Sequence, residues 1–315
     1  MITTVTVNAA IDKSYHLKQL ELGQVNRVAD VIAVPGGKGI NVSKVAHALG
    51  TPVVASGFLG GTNGRFIQQG LAEMGVRNEF VWVEGNSRET IAIWDEAGGM
   101  ETELLEPGPA IEEYAQQQLV EKIAGLAKTS SVVTFSGSLP KGIPADFYAR
   151  LIQVAKREGA ITILDSSNEA LVKGLEGIPD ICKPNRDEIE QLIGHRTHDQ
   201  KEFRLAAEKL LDKGIQVVIV SMDQEGAIAM TADAAWLIIP PHVQVKSTVG
   251  CGDSMVAGIA HILDRYKGSL GAEELKEALR LGTAAAASNA MHREVGFIEP
   301  EEVKDLLEKV TIRRL

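Results

Sequence analysis

The chain has 315 residues, 44% of them hydrophobic, and a formal net charge of −10, enough length to bury a large core in one large α/β domain or in two smaller ones. No basic cluster offsets the acidic balance, which argues against a nucleic-acid partner and leaves any anionic ligand to local lysines, arginines and N–H groups. Cys182 and Cys251 make no disulfide framework, the seven histidines show no metal-ligand spacing, and no apolar run is long enough to span a bilayer, so no membrane partner is expected. With Ile2 to Val7 following the first residue directly and no basic leader, the expected location is cytoplasmic.

Short apolar runs alternate with helical patterns along the chain. Strands are predicted at 53–57, 132–135, 162–164, 181–182 and 216–221. Helices are predicted at 64–74, 111–127, 146–158, 186–192 and 202–213, several ending at glycines such as Gly75, Gly159 and Gly214. This βα alternation predicts a mostly parallel central sheet with helices on both faces. Two regions, 14–34 and 80–105, carry extended runs with few helical signals and are expected to form a separate small sheet. Ala284 to Ala287 reads as a close-packed helix face.

Two glycine turns carry the chemistry. In Ser247-Thr248-Val249-Gly250-Cys251-Gly252-Asp253-Ser254, the glycines allow a tight turn with bare N–H groups, and apolar residues at helical spacing begin at Met255. A helix N-terminus therefore points at the turn and favours an anion, with Asp253 in the first helical turn able to take a proton. The other turn, first in chain order, is Pro35-Gly36-Gly37-Lys38-Gly39-Ile40-Asn41, which follows the extended run 28–34 and opens a helix whose buried face is Val42, Val45, Ala46 and Leu49. Its lysine among glycines suits a phosphate or sugar hydroxyls. Neither turn has the dinucleotide or P-loop spacing.

Together the two turns resemble the signatures of the ribokinase-like PfkB carbohydrate kinases. The likeness extends to Asn8-Ala9-Ala10-Ile11-Asp12, Gly57-Phe58-Leu59-Gly60-Gly61, Ser136-Gly137-Ser138-Leu139-Pro140 and Lys183-Pro184-Asn185-Arg186-Asp187-Glu188, so it runs from the first strand to about Asn289. The branch it most resembles contains bacterial 1-phosphofructokinase and tagatose-6-phosphate kinase. Asp165 to Leu171 and Ser247 to Gly258 lean toward the former.

The resemblance implies one ribokinase-like α/β domain over 1–315, with a non-contiguous β lid from about 12–34 and 80–105 that pairs subunits into a homodimer. It implies ATP-dependent phosphorylation of a ketose phosphate, first fructose 1-phosphate to fructose 1,6-bisphosphate, with tagatose-6-phosphate kinase or 6-phosphofructokinase as alternatives. ATP and Mg²⁺ are the implied cofactors, and a monovalent cation such as K⁺ is allowed for. A kinase of an unphosphorylated sugar or nucleoside, and a non-catalytic sugar-phosphate sensor, remain open as other classes.

Carried over position by position, Asp253 is the base, and Gly250, Cys251 and Gly252 supply N–H groups to the transferring phosphoryl. Asp12, Gly37, Lys38, Asn41 and Ser138 form the sugar site, and Arg88 and Arg27 hold the phosphate already on the substrate. Asn185, Ser221, Gly226, Gly252 and Asn289 face the nucleotide, while Glu188, one turn from Asn185, faces Mg²⁺ through water. Ser221-Met222-Asp223 departs from the usual Ser-Leu-Gly and puts contacts there in doubt. Cys251 sits at a helix N-terminus, which lowers a thiol pKa while Asp253 opposes the shift. A small thiol reagent is expected to reach it and block transfer.

Overall fold

The computed structural model describes residues 1–28, 30–196, 199–268 and 270–315. The chain opens with β1 (Ile2–Thr6), every residue of it buried, then β2 (Ala10–Leu17), β3 (Asp30–Gly36), α1 (Lys38–Ala48), β4 (Val53–Gly60), α2 (Gly61–Glu73) and β5 (Arg77–Val83). After these come β6 (Arg88–Asp95), β7 (Met100–Leu105), α3 (Glu113–Ala127), β8 (Val132–Ser136), α4 (Phe147–Arg157), β9 (Ile161–Asp165), α5 (Asn168–Gly174) and β10 (Ile181–Cys182). The remainder is α6 (Arg186–Ile193), α7 (Gln200–Leu211), β11 (Val217–Ser221), β12 (Ala227–Met230), β13 (Ala235–Ile239), α8 (Cys251–Arg265), α9 (Ala272–Ala290), α10 (Pro300–Leu307) and β14 (Thr311–Arg314).

Ten strands form the large sheet in the order β14-β13-β12-β11-β10-β9-β8-β1-β4-β5. From β5 to β11 neighbouring strands are parallel, and β11 to β14 continue antiparallel. The parallel part buries both faces, which is why its strands read as continuous apolar runs. One face holds Phe135, Phe147, Tyr148, Leu119 and Phe203, and the other packs α8 and α9 through Val256, Ile259, Leu275 and Ala285. Those two helices touch at glycines: a Cβ on Gly258 would lie 2.7 Å from the Gly282 Cα. The buried Ala284 and Ala285 continue this close face, as the sequence indicates.

The order reverses at β1, which has β4 on one side and β8 on the other. A crevice opens at the carboxyl ends of parallel strands at such a point, and ligands of open α/β sheets bind there. Over it stands the second sheet, in the order β3-β2-β6-β7, with β2 and β6 parallel. Its later half begins at Arg88, not at 80, because Arg77 to Val83 pair with β4 at the edge of the large sheet. The alternating pattern of β5 could not distinguish a half-covered edge strand from a strand of the small sheet. Among the described residues no helix is long and apolar enough to cross a membrane.

Candidate active site

The first glycine turn connects β3 to α1 and wraps around one carboxylate. Asp12, on β2, accepts hydrogen bonds from Gly37 N (3.2 Å), Asn41 Nδ2 (3.3 Å) and Thr90 Oγ1 (2.7 Å). The backbone crosses so closely that a Cβ on Gly36 would fall 2.0 Å from the Asp12 Cγ, and Gly37 has φ +94°. Glycine is required at both positions, the first for approach and the second for its dihedral. Asn41 Nδ2 also donates to Asp253 Oδ2 at 3.0 Å, so one amide links the two buried carboxylates.

Asp253 lies in the first turn of α8, behind Gly250, which caps the helix with φ +84°. Burial pushes its carboxyl up to about 7, with Lys38 opposing and Asp165 reinforcing the shift. A carboxyl tuned to neutrality is suited to accept a proton from a hydroxyl. Only the ionised form can act as base, so kcat/KM is expected to fall as pH drops through about 7, an acid limb that a pH–rate profile will show. An acid limb near 4 would mean that the base is another group.

The Cys251 N–H is already donated to the Thr248 carbonyl at 3.3 Å, whereas among the described residues Gly250, Gly252 and Asp253 have no acceptor for theirs. Of the three expected donors, Cys251 is thus engaged in the turn, and the Asp253 amide joins the two glycines at the free helix end. Asn289 holds the turn from behind: its Nδ2 donates to Val249 O (2.9 Å) and Cys251 Sγ (3.5 Å), and its Oδ1 accepts from Gly296 N (3.0 Å). With all these groups committed, Asn289 supports the turn and does not present free donors to a nucleotide.

The direction of the Cys251 shift, which the sequence left open between the helix end and Asp253, is upward. Burial pushes the thiol up to about 12, with Asp253 adding to the shift and the Asn289 hydrogen bond opposing it. A protonated thiol is a poor nucleophile. Iodoacetamide at neutral pH is therefore expected to leave Cys251 unmodified and activity intact, as read by mass spectrometry and assay. Rapid labelling there would contradict this.

At the outer end of the crevice Arg88 donates through Nε to Asn8 O (3.3 Å) and through a terminal nitrogen to Glu106 O (3.1 Å). Asn8 Nδ2 in turn donates to Ser138 Oγ at 3.1 Å. Both Arg88 contacts are neutral carbonyls, and among the described residues no carboxylate lies within ion-pair distance. Arg27 is not brought here. It is exposed in the loop between β2 and β3, beside His16, Asp30, Glu96 and Arg293. His16 is four strand residues from Asp12, a distance of about 13 Å along β2. Within this chain Arg27 and Arg88 therefore lie at opposite ends of the small sheet.

Asn185 caps α6: it accepts from Glu188 N at 2.8 Å, and Glu188 Oε2 accepts from Asn185 N at 2.8 Å. The pair satisfies helix-end donors reciprocally, and among the described residues Glu188 Oε1 has no hydrogen-bond donor. Burial raises the Glu188 carboxyl, with Asp165 adding to the shift. Ser221, at the end of β11, bridges in parallel to Asn185, which places both on the same side of the crevice. Gly226 is structural, since a Cβ there would lie 1.9 Å from Ile238 O. Asp223 has φ +52°, the left-handed conformation that glycine adopts without cost. The departure from Ser-Leu-Gly thus keeps the backbone shape that a glycine favours.

Three features were not assigned from sequence. Asp165, at the end of β9, is 1% exposed, and its Oδ1 lies 3.5 Å from Lys38 Nζ and 3.3 Å from Lys183 Nζ. Thr90 joins Asp12 from β6. Glu101, on β7, accepts from Ser247 Oγ (2.9 Å) and Thr248 N (3.2 Å), tying the small sheet to the second glycine turn. A usable signal for Asp165 and Lys183 was a lone charge at, or directly after, the end of a buried apolar strand.

The fold and crevice define a sugar-kinase architecture. Residues 5–302 match the pfkB family of carbohydrate kinases, and the chain belongs to that family. A curated tagatose-6-phosphate kinase from Staphylococcus epidermidis is 36% identical over 315 residues, covering 99% of each chain. Phosphofructokinase-2 from Escherichia coli, solved with potassium, superposes with a TM-score of 0.88 at 28% identity over 98% of each chain. A protein described as a possible 1-phosphofructokinase from Thermotoga maritima superposes at 0.89 and 28% identity, covering 100% of this chain and 99% of that one. The chain is a phosphotransferase with an alcohol acceptor, a sugar-phosphate kinase of this family.

Proposed function

We propose that the protein transfers the γ-phosphoryl of ATP to a ketose phosphate, with fructose 1-phosphate as first substrate. The observation that supports this reading is the line Asp12–Asn41–Asp253, two buried carboxylates joined by one amide, the second of them pushed up to about 7 beside the open end of α8. Asp12 and Asn41 orient the sugar hydroxyls, and Asp253 takes the proton of the attacking one. The free N–H groups of α8 stabilise charge on the transferring phosphoryl. Lys38 contributes a cation held by Asp165, and Arg88 offers its guanidinium to the phosphate already on the sugar.

Mg²⁺ fits one position by the chemistry of the donor. Glu188 commits one oxygen to its cap and leaves the other free, and among the described residues no cluster of three His, Cys, Asp or Glu side chains could hold a metal by itself. Glu188 would hold a hydrated ion shared with the nucleotide's phosphates, since Mg²⁺ dehydrates reluctantly. Once bound it would neutralise phosphate charge. The potassium in the E. coli relative supports a monovalent-cation requirement here.

Tagatose 6-phosphate is the second reading, favoured by the full-length curated relative. A coupled assay over fructose 1-phosphate, tagatose 6-phosphate and fructose 6-phosphate separates the readings by kcat/KM. Ribose and adenosine in the same panel test for an unphosphorylated acceptor. Turnover of none of the phosphosugars would refute the proposal and favour a sensor. For assembly, the exposed Leu22, Val25, Val31, Met100, Leu104 and Leu105 on and around the small sheet fit a second copy of the chain, giving a homodimer through the lid. Sedimentation showing a monomer at assay concentrations would refute that assembly.

A further inference from the structure

Asp165 is the most enclosed charged group of the crevice, and its environment is not that of a structural ion pair. Its Oδ1 faces two ammonium groups that come from different parts of the fold. Lys38 belongs to the first glycine turn. Lys183 follows β10, with a side chain only 4% exposed, and a Cβ on Gly252 would lie 3.3 Å from its Nζ, so its charge abuts the second glycine turn. The other oxygen, Oδ2, is buried without a hydrogen-bond partner. A carboxylate kept for stability alone would be expected to have both oxygens satisfied.

We propose that Asp165 is a positioning residue that pins the Lys38 and Lys183 ammonium groups to the two sides of the phosphoryl path, joining the sugar turn to the phosphate turn. This rests on the phosphotransfer reading above. The groups facing the arrangement are Lys38 on α1, Lys183 after β10, Asp253 on α8, Glu188 on α6 and the buried Tyr148 hydroxyl on α4, with Lys44 of α1 also acting on Asp253. In this set Asp165 is the main group that keeps Lys38 protonated against burial, and it also raises the Asp253 carboxyl. One negative charge thus raises both groups, favouring the charged form of Lys38 and the neutral form of Asp253.

The test is the pH profile of kcat, with KM for both substrates, for wild type and Asp165→Asn on whichever phosphosugar the wild type turns over. With the carboxylate replaced by its isostere, kcat at neutral pH is expected to fall by about 10- to 100-fold through misplacement of the cations. The acid limb should move below its wild-type position, because the charge that raised Asp253 is gone. An alkaline limb absent from wild type should appear, because Lys38 has lost the counter-ion that keeps it protonated against burial. Asp165→Glu keeps the charge and should show no such limb. A D165N profile parallel to wild type, at whatever rate, overturns the proposal, as does a variant altered only in its Mg²⁺ requirement. Should D165N fail to fold, Lys183→Met tests the same arrangement from the other side: the acid limb must rise, and an unmoved or lowered limb overturns the proposal. A wild type inactive on every phosphosugar sinks the phosphotransfer reading instead, so the two failures are distinguishable.

Discussion

Asp253→Asn is expected to lower kcat by at least about 10²-fold with KM for ATP nearly unchanged, the loss associated with removing a positioned general base. The asparagine carbonyl can still accept from Asn41 Nδ2, which now donates to Asp253 Oδ2 at 3.0 Å, so the buried contact and the start of α8 survive. The free N–H groups at Gly250, Gly252 and position 253 are backbone groups and remain for the nucleotide. The ability to take a proton is lost, and with it the acid limb near pH 7, since that limb belongs to this carboxyl. A kcat within a few-fold of wild type, or a profile that keeps its limb, would place the base elsewhere.

Arg88→Ala is expected to raise KM for the phosphosugar by about 10- to 150-fold, the equivalent of the roughly 1.5 to 3 kcal/mol that a charge-assisted hydrogen bond contributes. Its guanidinium rests on the carbonyls of Asn8 and Glu106, which fix its direction without neutralising it. Burial lowers its pKa, a cost that an incoming phosphate would offset. KM for ATP should barely change, because Arg88 rests on Asn8, whose side chain in turn reaches Ser138 at the sugar end. Arg88→Lys should fall between, keeping the charge and losing the planar fork. Equal damage to both substrates would show instead that Arg88 serves to join β6 to the Asn8 segment.

The βα alternation of the parallel region, the two glycine turns and their helices, and the family likeness were legible in the sequence, because each rests on local physics. A buried parallel strand has to be apolar on both faces, φ near +90° at Gly37 favours glycine, and a helix N-terminus bears free donors wherever it lies. Asn185 and Glu188 were legible as a pair for the same reason, being one turn apart.

Tertiary structure alone decided what long-range contact creates. It assigned β5 to the large sheet, since a half-covered edge strand looks alike in either sheet, and it extended that sheet antiparallel through β12 to β14. It gathered Asp12, Asn41 and Asp253 from β2, α1 and α8, and Asp165, Lys38 and Lys183 from β9, α1 and the segment after β10, while leaving Arg27 at the far end of β2. It also decided the protonation of Asp253 and Cys251. A helix end acts over one turn and can be read locally, but desolvation is the sum of everything packed around a group, and in both cases it was the larger influence.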